Sequence, residues 1–289
     1  STCLMVKGQY DYEYETTIVQ TPTGVNVDAL SFRYWIYNDF DANDIAIENF
    51  NWTNGYNCEI IENSTKYYNC HGYVWYNVEG NMSQVNLRWI NNIDYYGNPT
   101  YNVQKYYSSS YSGGNPSYRQ VSTNNRAYLK VSYFPRDHSA LTTSNSSYFI
   151  SKWSWGPLVR HTPAQCPFYP NAIIKYYELI PPVISGSSDA ICNGSQQTLS
   201  ETGFTHIDLN YNWNISNLLS EVSGNGTSQY TVQGTSQNGT ATVSLTVTTP
   251  SGATATANKA VWVGTPTPEI IDIINIGPYY PGGNQICTN

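Results

Sequence analysis

The chain of 289 residues carries a formal charge of −7, and 11% of its residues are charged, against roughly 25% in an average soluble protein. That balance, without a basic cluster, argues against nucleic-acid binding, and no run of eighteen apolar residues is present to span a membrane. Neutral polar side chains and 27 tyrosines stand in for ions, a composition that favours strands over helices and suits a secreted or cell-surface protein.

Taken in chain order, Tyr10 to Gln20 and Val25 to Tyr37 read as strands. Asp41 is placed as the N-cap of a short helix running toward Phe50, because an Asp side chain accepts from the orphan N–H groups of a first turn. Next comes Tyr68-Asn69-Cys70-His71-Gly72-Tyr73-Val74-Trp75, a cysteine at the head of a short apolar stretch that Gly80 ends. A thiol there feels the positive end of the helix dipole, which favours thiolate. Val121 to Phe134, His138 to Thr143 and Ser147 to Trp153 read as successive strands, with a turn at Ser144-Asn145-Ser146. A cysteine on a helix followed by a histidine on a sheet is an α+β arrangement for residues 1–180.

Pro181-Pro182 marks a change of texture, since tandem proline blocks helix and strand alike. Residues 181–265 read as an all-β sandwich. Trp213 is placed as a core aromatic, and residues 241–248 alternate strictly before a turn at Pro250-Ser251-Gly252. This stretch resembles the PKD-like and immunoglobulin-like repeats of secreted bacterial proteins, those of Bacteroidetes in particular. Residues 266–289 are expected to be a linker and the first strand of a further, truncated repeat, because Ile286-Cys287 echoes Ile191-Cys192. The chain is thus expected to be the N-terminal part of a larger surface protein. Coincidence of one dipeptide is the competing explanation.

Three motifs then occur in order. They are Asn69-Cys70-His71-Gly72-Tyr73-Val74-Trp75, Asp137-His138-Ser139-Ala140 and Ser151-Lys152-Trp153-Ser154-Trp155-Gly156-Pro157-Leu158. Together they resemble a secreted bacterial group similar to the NlpC/P60 and CHAP cysteine peptidases and amidases. The resemblance implies a papain-like fold, Cys70 as nucleophile and His138 as general base. It departs from the better-known pattern in two places: Asn-Cys-His-Gly replaces Asp-Cys-Ser-Gly, and Ser122 to Arg126 stand where Pro-Gly-Asp is usual.

The residue types set the chemistry. Thiolate attack on an amide needs an imidazole to take a proton and return it to the leaving amine, and a third polar group to orient that imidazole. Ser151, on the strand returning past His138, is expected to fill the third place, with the backbone N–H of Cys70 meeting the oxyanion. Lys152 has no acceptor for an imidazole N–H and is assigned to a substrate carboxylate. His71 points elsewhere on the helix and is assigned a substrate-facing or structural role. His161 is an alternative base.

No cofactor or metal is expected, since Cys3, Cys58, Cys70, Cys166, Cys192 and Cys287 form no CxxC pair. Cys70 is open to a disulfide with Cys58 instead of a nucleophilic role. If Cys70 is free, Cys58–Cys166 is the pair expected, and Cys192 is expected as a small buried hydrophobe. The tyrosine-rich stretch from Tyr95 to Tyr118 has two readings, a carbohydrate-binding surface or a loop whose rings pack on the domain.

Two functions follow. One is an extracellular cysteine hydrolase that cleaves an amide in a peptidoglycan peptide or a protein. The other is a non-catalytic surface protein carrying a degenerate papain-like domain on an immunoglobulin-repeat stalk.

Overall fold

The computed structural model describes residues 13–92, 98–122, 125–134, 137–145 and 147–265. Two compact units form. One comprises Ser1–Ile180, Phe204–Leu209 and Thr248–Thr254, and the other Pro181–Gly203, Asn210–Val247 and Ala255–Asn289.

The described part of the first unit begins with an antiparallel hairpin of β1 (Tyr14–Gln20) and β2 (Asn26–Phe32), in which Tyr14 faces Phe32. Leu30 and Trp89 exchange backbone hydrogen bonds of 2.8 and 2.9 Å. Trp89 thereby meets Tyr14 edge-on at 5.7 Å in a small aromatic core with Phe32. Helix α1 (Ala42–Tyr56) is capped by Asp41, which accepts from the N–H groups of Asn43 and Asp44, and it ends at left-handed Asn57. None of its residues is buried.

Then follow β3 (Glu59–Glu62), the six-residue helix α2 (Cys70–Trp75), β4 (Tyr118–Val121), β5 (Lys130–Phe134), β6 (Ser139–Thr142), β7 (Phe149–Lys152), β8 (Leu158–His161) and β9 (Ile173–Leu179). The last six strands and β3 make one antiparallel seven-stranded sheet in the order β3-β8-β7-β6-β5-β9-β4.

Helix α2 packs on the middle of this sheet, against β6 and β7, and all six of its residues are buried. On another side of the helix, Gly72 lets the Arg88 segment approach, because a Cβ there would lie 1.8 Å from the Arg88 carbonyl oxygen. Burying an aliphatic or aromatic side chain such as Val74 or Trp75, both 0% exposed, contributes about 1.5–3 kcal/mol each. Side chains of a strand alternate between faces. Val131, Tyr133, Ala140, Phe149 and Val159 accordingly gather in one cluster with Cys58, Trp153 and Cys166.

This architecture overturns the expected α+β papain-like domain. Among the described residues the first unit has nine strands, and its α-helices are one of fifteen and one of six residues. The tyrosine-, threonine- and asparagine-rich composition resolves into strands and short turns, because tyrosine and threonine pack well on a pleated surface, asparagine favours turns, and all three extend helices poorly.

The second unit is built from two four-stranded sheets. One has the order β10 (Ile184–Gly186), β12 (Gln196–Glu201), β15 (Gln229–Gly234), β14 (Leu219–Ser223). The other has the order β11 (Ala190–Ile191), β17 (Thr254–Val263), β16 (Gly239–Thr248), β13 (Asn210–Ile215). Along β16 the side chains of Ala241, Val243, Leu245 and Val247 are each fully buried. Trp213 stacks on Tyr230 at 5.3 Å and donates its indole N–H to the Thr227 carbonyl at 2.9 Å. The linker and strand expected over 266–289 lie outside the described residues.

Two expectations about cysteines are corrected. Cys58, Cys70 and Cys166 are all free thiols, so neither Cys58–Cys70 nor Cys58–Cys166 is bonded. Cys192 is disulfide-bonded and is not a lone buried thiol.

Candidate active site

Asn69 sets the start of α2. Its Oδ1 accepts from the N–H groups of Gly72 at 2.8 Å and Ile90 at 3.1 Å, and its Nδ2 donates to the Ile90 carbonyl at 2.7 Å. One buried amide thus caps the helix and pins it to the segment beside β2. Cys70 follows as the first helical residue, 1% exposed.

His71, the next residue, points at β6. Its Nδ1 lies 2.8 Å from Ser139 Oγ and its Nε2 lies 2.7 Å from Asp137 Oδ1. Burial alone would hold this imidazole down. The charge that Cys70 brings when ionised, then the charge and hydrogen bond of Asp137, raise it well above its ordinary value of 6.5 instead. Asp137 answers in kind. Desolvation works against its ionisation, yet the His71 charge and hydrogen bonds from His71 and Asn92 lower it from 3.8 to about 2. Asn92 Nδ2 donates to the same Oδ1 at 3.0 Å, and Trp75 Nε1 donates to Ser139 Oγ at 2.9 Å. Trp75 is itself boxed by Tyr106 and Tyr118, each 5.6 Å away.

The other sequence-derived residues sit elsewhere. His138 is the neighbour of Ser139, and its ring faces the opposite side of β6. There it stacks on Trp153 at 4.0 Å and packs near Tyr133 and Phe168. Its Nε2 is buried without a hydrogen-bond partner. Burial, then the charges of His161 and His71, push it well below 6.5. No hydrogen bond joins it to Cys70 among the described residues.

Ser151 does not orient His138 either. Its Oγ lies 2.8 Å from His161 Nε2, while His161 Nδ1 lies 2.8 Å from the Thr162 carbonyl. A carbonyl only accepts, so Nδ1 carries the proton and Ser151 donates to Nε2. Burial lowers His161 to about 4, the Thr162 bond opposing. Lys152, expected at a substrate carboxylate, is 0% exposed. Its ammonium donates to the carbonyls of Thr65 at 3.0 Å, Ser154 at 2.8 Å and Gly156, so all three donors are engaged inside the fold. His161, the alternative base, is committed to Ser151.

The structure therefore brings together Cys70, His71, Asp137 and Ser139 and leaves His138, Ser151 and Lys152 out of that group. Asp137 and Ser139 flank His138 in the sequence, and alternation along a strand places such flanking residues on the face His138 does not use. That was the available signal for them.

Tyr95 and Tyr96 lie outside the described residues, and the described part of the tyrosine-rich stretch packs for the most part on the domain. Tyr106 and Tyr118 are buried, Tyr107 stacks on Tyr177 at 4.2 Å, and Tyr101 stacks on Tyr111 at 4.4 Å with both partly exposed. Among the described residues no group of three His, Cys, Asp or Glu is placed to hold a metal ion. None of their helices is long and apolar enough to cross a membrane. No protein-family model matches the chain, and no curated protein matches it.

Proposed function

We propose that the chain is an extracellular cysteine hydrolase that cleaves an amide bond in a peptidoglycan peptide or a protein. Cys70 is its nucleophile, and His71 with Asp137 is its proton-handling pair. The observation that carries this reading is the His71 ring, held between Asp137 and Ser139 immediately beside the Cys70 thiol. The ordered resemblance of the Cys70 and His138 motifs to NlpC/P60 and CHAP enzymes supports the reaction class. The role of base passes from His138 to His71.

In the reaction, Ser139 gives up Nδ1 of His71, the Cys70 proton moves to that nitrogen and the sulfur adds to the amide carbonyl carbon. Asp137 stabilises the imidazolium through Nε2–H. The C–N bond then breaks, the leaving amine takes the proton from His71, and water hydrolyses the thioester. Asp137 orients the ring as the third member of a triad does.

The test is turnover of cell-wall fragments and of a generic protein substrate by the purified chain and its Cys70→Ala variant. Loss of turnover in the variant, with an unchanged circular dichroism spectrum, is expected. Equal turnover would overturn the assignment.

One observation favours a second reading, in which the domain binds or assembles without catalysis. Cys70 and His71 are 1% and 3% exposed, so a substrate reaches the sulfur only if the cover moves. Iodoacetamide separates the two. Alkylation of Cys70 in the folded chain fits the hydrolase, and complete protection fits the non-catalytic protein.

A further inference from the structure

We propose that Cys58 and Cys166 form a dithiol site that a small-molecule disulfide oxidises to an intramolecular disulfide bond. The site is independent of the Cys70 chemistry. Three contacts run the two segments side by side. Gln165 Nε2 donates to the Asn57 carbonyl at 2.6 Å, Glu59 is paired with Arg160 across β3 and β8, and Arg160 Nε donates to Glu59 Oε2 at 2.9 Å. The cysteines follow Asn57 and Gln165 directly, and both side chains belong to the same buried cluster.

Each sulfur is placed by its own turn. Cys58 Sγ donates to the Tyr56 carbonyl at 3.6 Å, and Cys166 closes the 3-10 turn Pro163–Gln165 through its N–H to the Pro163 carbonyl. Burial raises both thiols, and Cys166 stands at about 11 although hydrogen bonds from the backbone of Phe168 and Tyr169 oppose the rise.

Access comes from the edge. Cys58 immediately precedes β3, the outermost strand of the seven-stranded sheet, and follows α1, which buries none of its residues. Local opening at this sheet edge, which lifts Trp52 of α1 off Trp153, exposes the sulfur. The opened Cys58 thiolate attacks one sulfur of oxidised glutathione, forming a mixed disulfide and releasing one glutathione thiolate. The Cys166 thiolate then attacks the Cys58 sulfur and releases the second. Two protein thiols lose two electrons, one glutathione disulfide gains them, and the two thiol protons end on the released glutathiones. Because only thiolate attacks, the rate rises about tenfold per pH unit below the thiol pKa.

Incubation of the folded chain with oxidised glutathione at alkaline pH, then iodoacetamide blocking and non-reducing peptide mapping, tests the proposal. The expected result is a linked peptide pair joining Cys58 to Cys166, with iodoacetamide labelling lost at both. In Cys58→Ser, labelling of Cys166 should persist or stop at a glutathione adduct. Separate glutathione adducts on both cysteines of the unaltered chain would overturn it, as would linkage of either to Cys70. So would free thiols at both positions under conditions that oxidise the denatured chain. The mapping of the unaltered chain decides the matter even if the serine variant fails to fold.

Discussion

Two hydrogen bonds at His71 determine which proton can move. Trp75 Nε1–H occupies one acceptor site of Ser139 Oγ, which leaves the Ser139 proton free to point at His71 Nδ1 and puts the neutral ring's proton on Nε2, facing Asp137. When the ring gains a second proton, Ser139 accepts from Nδ1–H as well as from Trp75, since a hydroxyl offers two lone pairs. Both protonation states are thus satisfied, and that suits an imidazole which must hold a proton and release it. His138 has no such arrangement, with its Nε2 buried unpartnered. His71→Ala is therefore expected to lower kcat on a responsive substrate by about 10²–10⁴-fold, the usual worth of a general base. His138→Phe, which keeps an aromatic ring against Trp153, should leave kcat within about threefold, well short of the loss of a base. The reverse ranking would return the base to His138. Asp137→Asn keeps a polar atom near Nε2 but removes the charge that raises His71. Its acid limb in a kcat/KM–pH profile should consequently move, whereas a merely structural aspartate would change the amplitude alone.

At the level of elements, α2 is held against its surroundings by the absence of a single atom. Gly72→Ala would drive a Cβ to 1.8 Å from the Arg88 carbonyl oxygen, and backbone cannot swing aside as a side chain can. A loss of about 1–3 kcal/mol or more is expected, as for overpacking in general. Gly55, inside α1, has nothing within 4 Å of a built Cβ, so Gly55→Ala should stabilise by about 0.5–1 kcal/mol through helix propensity. Urea denaturation of the two variants checks both signs. These elements also mark where sequence was legible. The Asp41 cap, the helix opening at Cys70, the alternation of β16 and the inward Trp213 are local signals, carried by one capping side chain or a period of two. The stretch Val121–Phe134 reads as one strand, but among its described residues only Val121, the end of β4, and Lys130–Phe134, which is β5, are strand. The papain-like architecture expected from the motifs is wrong because a fold depends on how elements stack, and the motifs recording the cysteine and histidine carry no information on that. The pairing of His71 with Asp137 and Ser139 failed for the same reason. A strand's alternation says which residues share a face, and only tertiary packing says which face the helix covers.

For the whole molecule, the placement of histidines makes acid selective. His71, His138, His161 and His206 are the four histidines of the chain, and all fall in the first unit. A base whose folded pKa lies below its unfolded value binds fewer protons when folded, so its contribution to stability is lost as pH falls from the unfolded value toward the folded one. His161, lowered from 6.5 to about 4, loses on the order of 3 kcal/mol across that window at about 1.4 kcal/mol per pH unit. His138, lowered in the same direction by burial, adds to the slope. His71 runs the other way. Its folded pKa is raised, so its contribution is fully present below 6.5 and fades only as pH rises through that raised value. Asp137, lowered to about 2, holds its contribution above 3.8 and loses it only as pH falls toward 2. Between pH 6.5 and 4 the His71–Asp137 pair is therefore flat, and the net slope belongs to the two histidines buried neutral. Calorimetry at pH 7 and pH 5 should show the first unit's transition moving down in temperature by several degrees, while the second unit, which contains no histidine, stays near its neutral value. His161→Gln, a neutral side chain that can still accept from Ser151, should flatten the acid slope even if it lowers stability at pH 7. An unchanged slope in that variant would mean that the destabilising protons bind elsewhere.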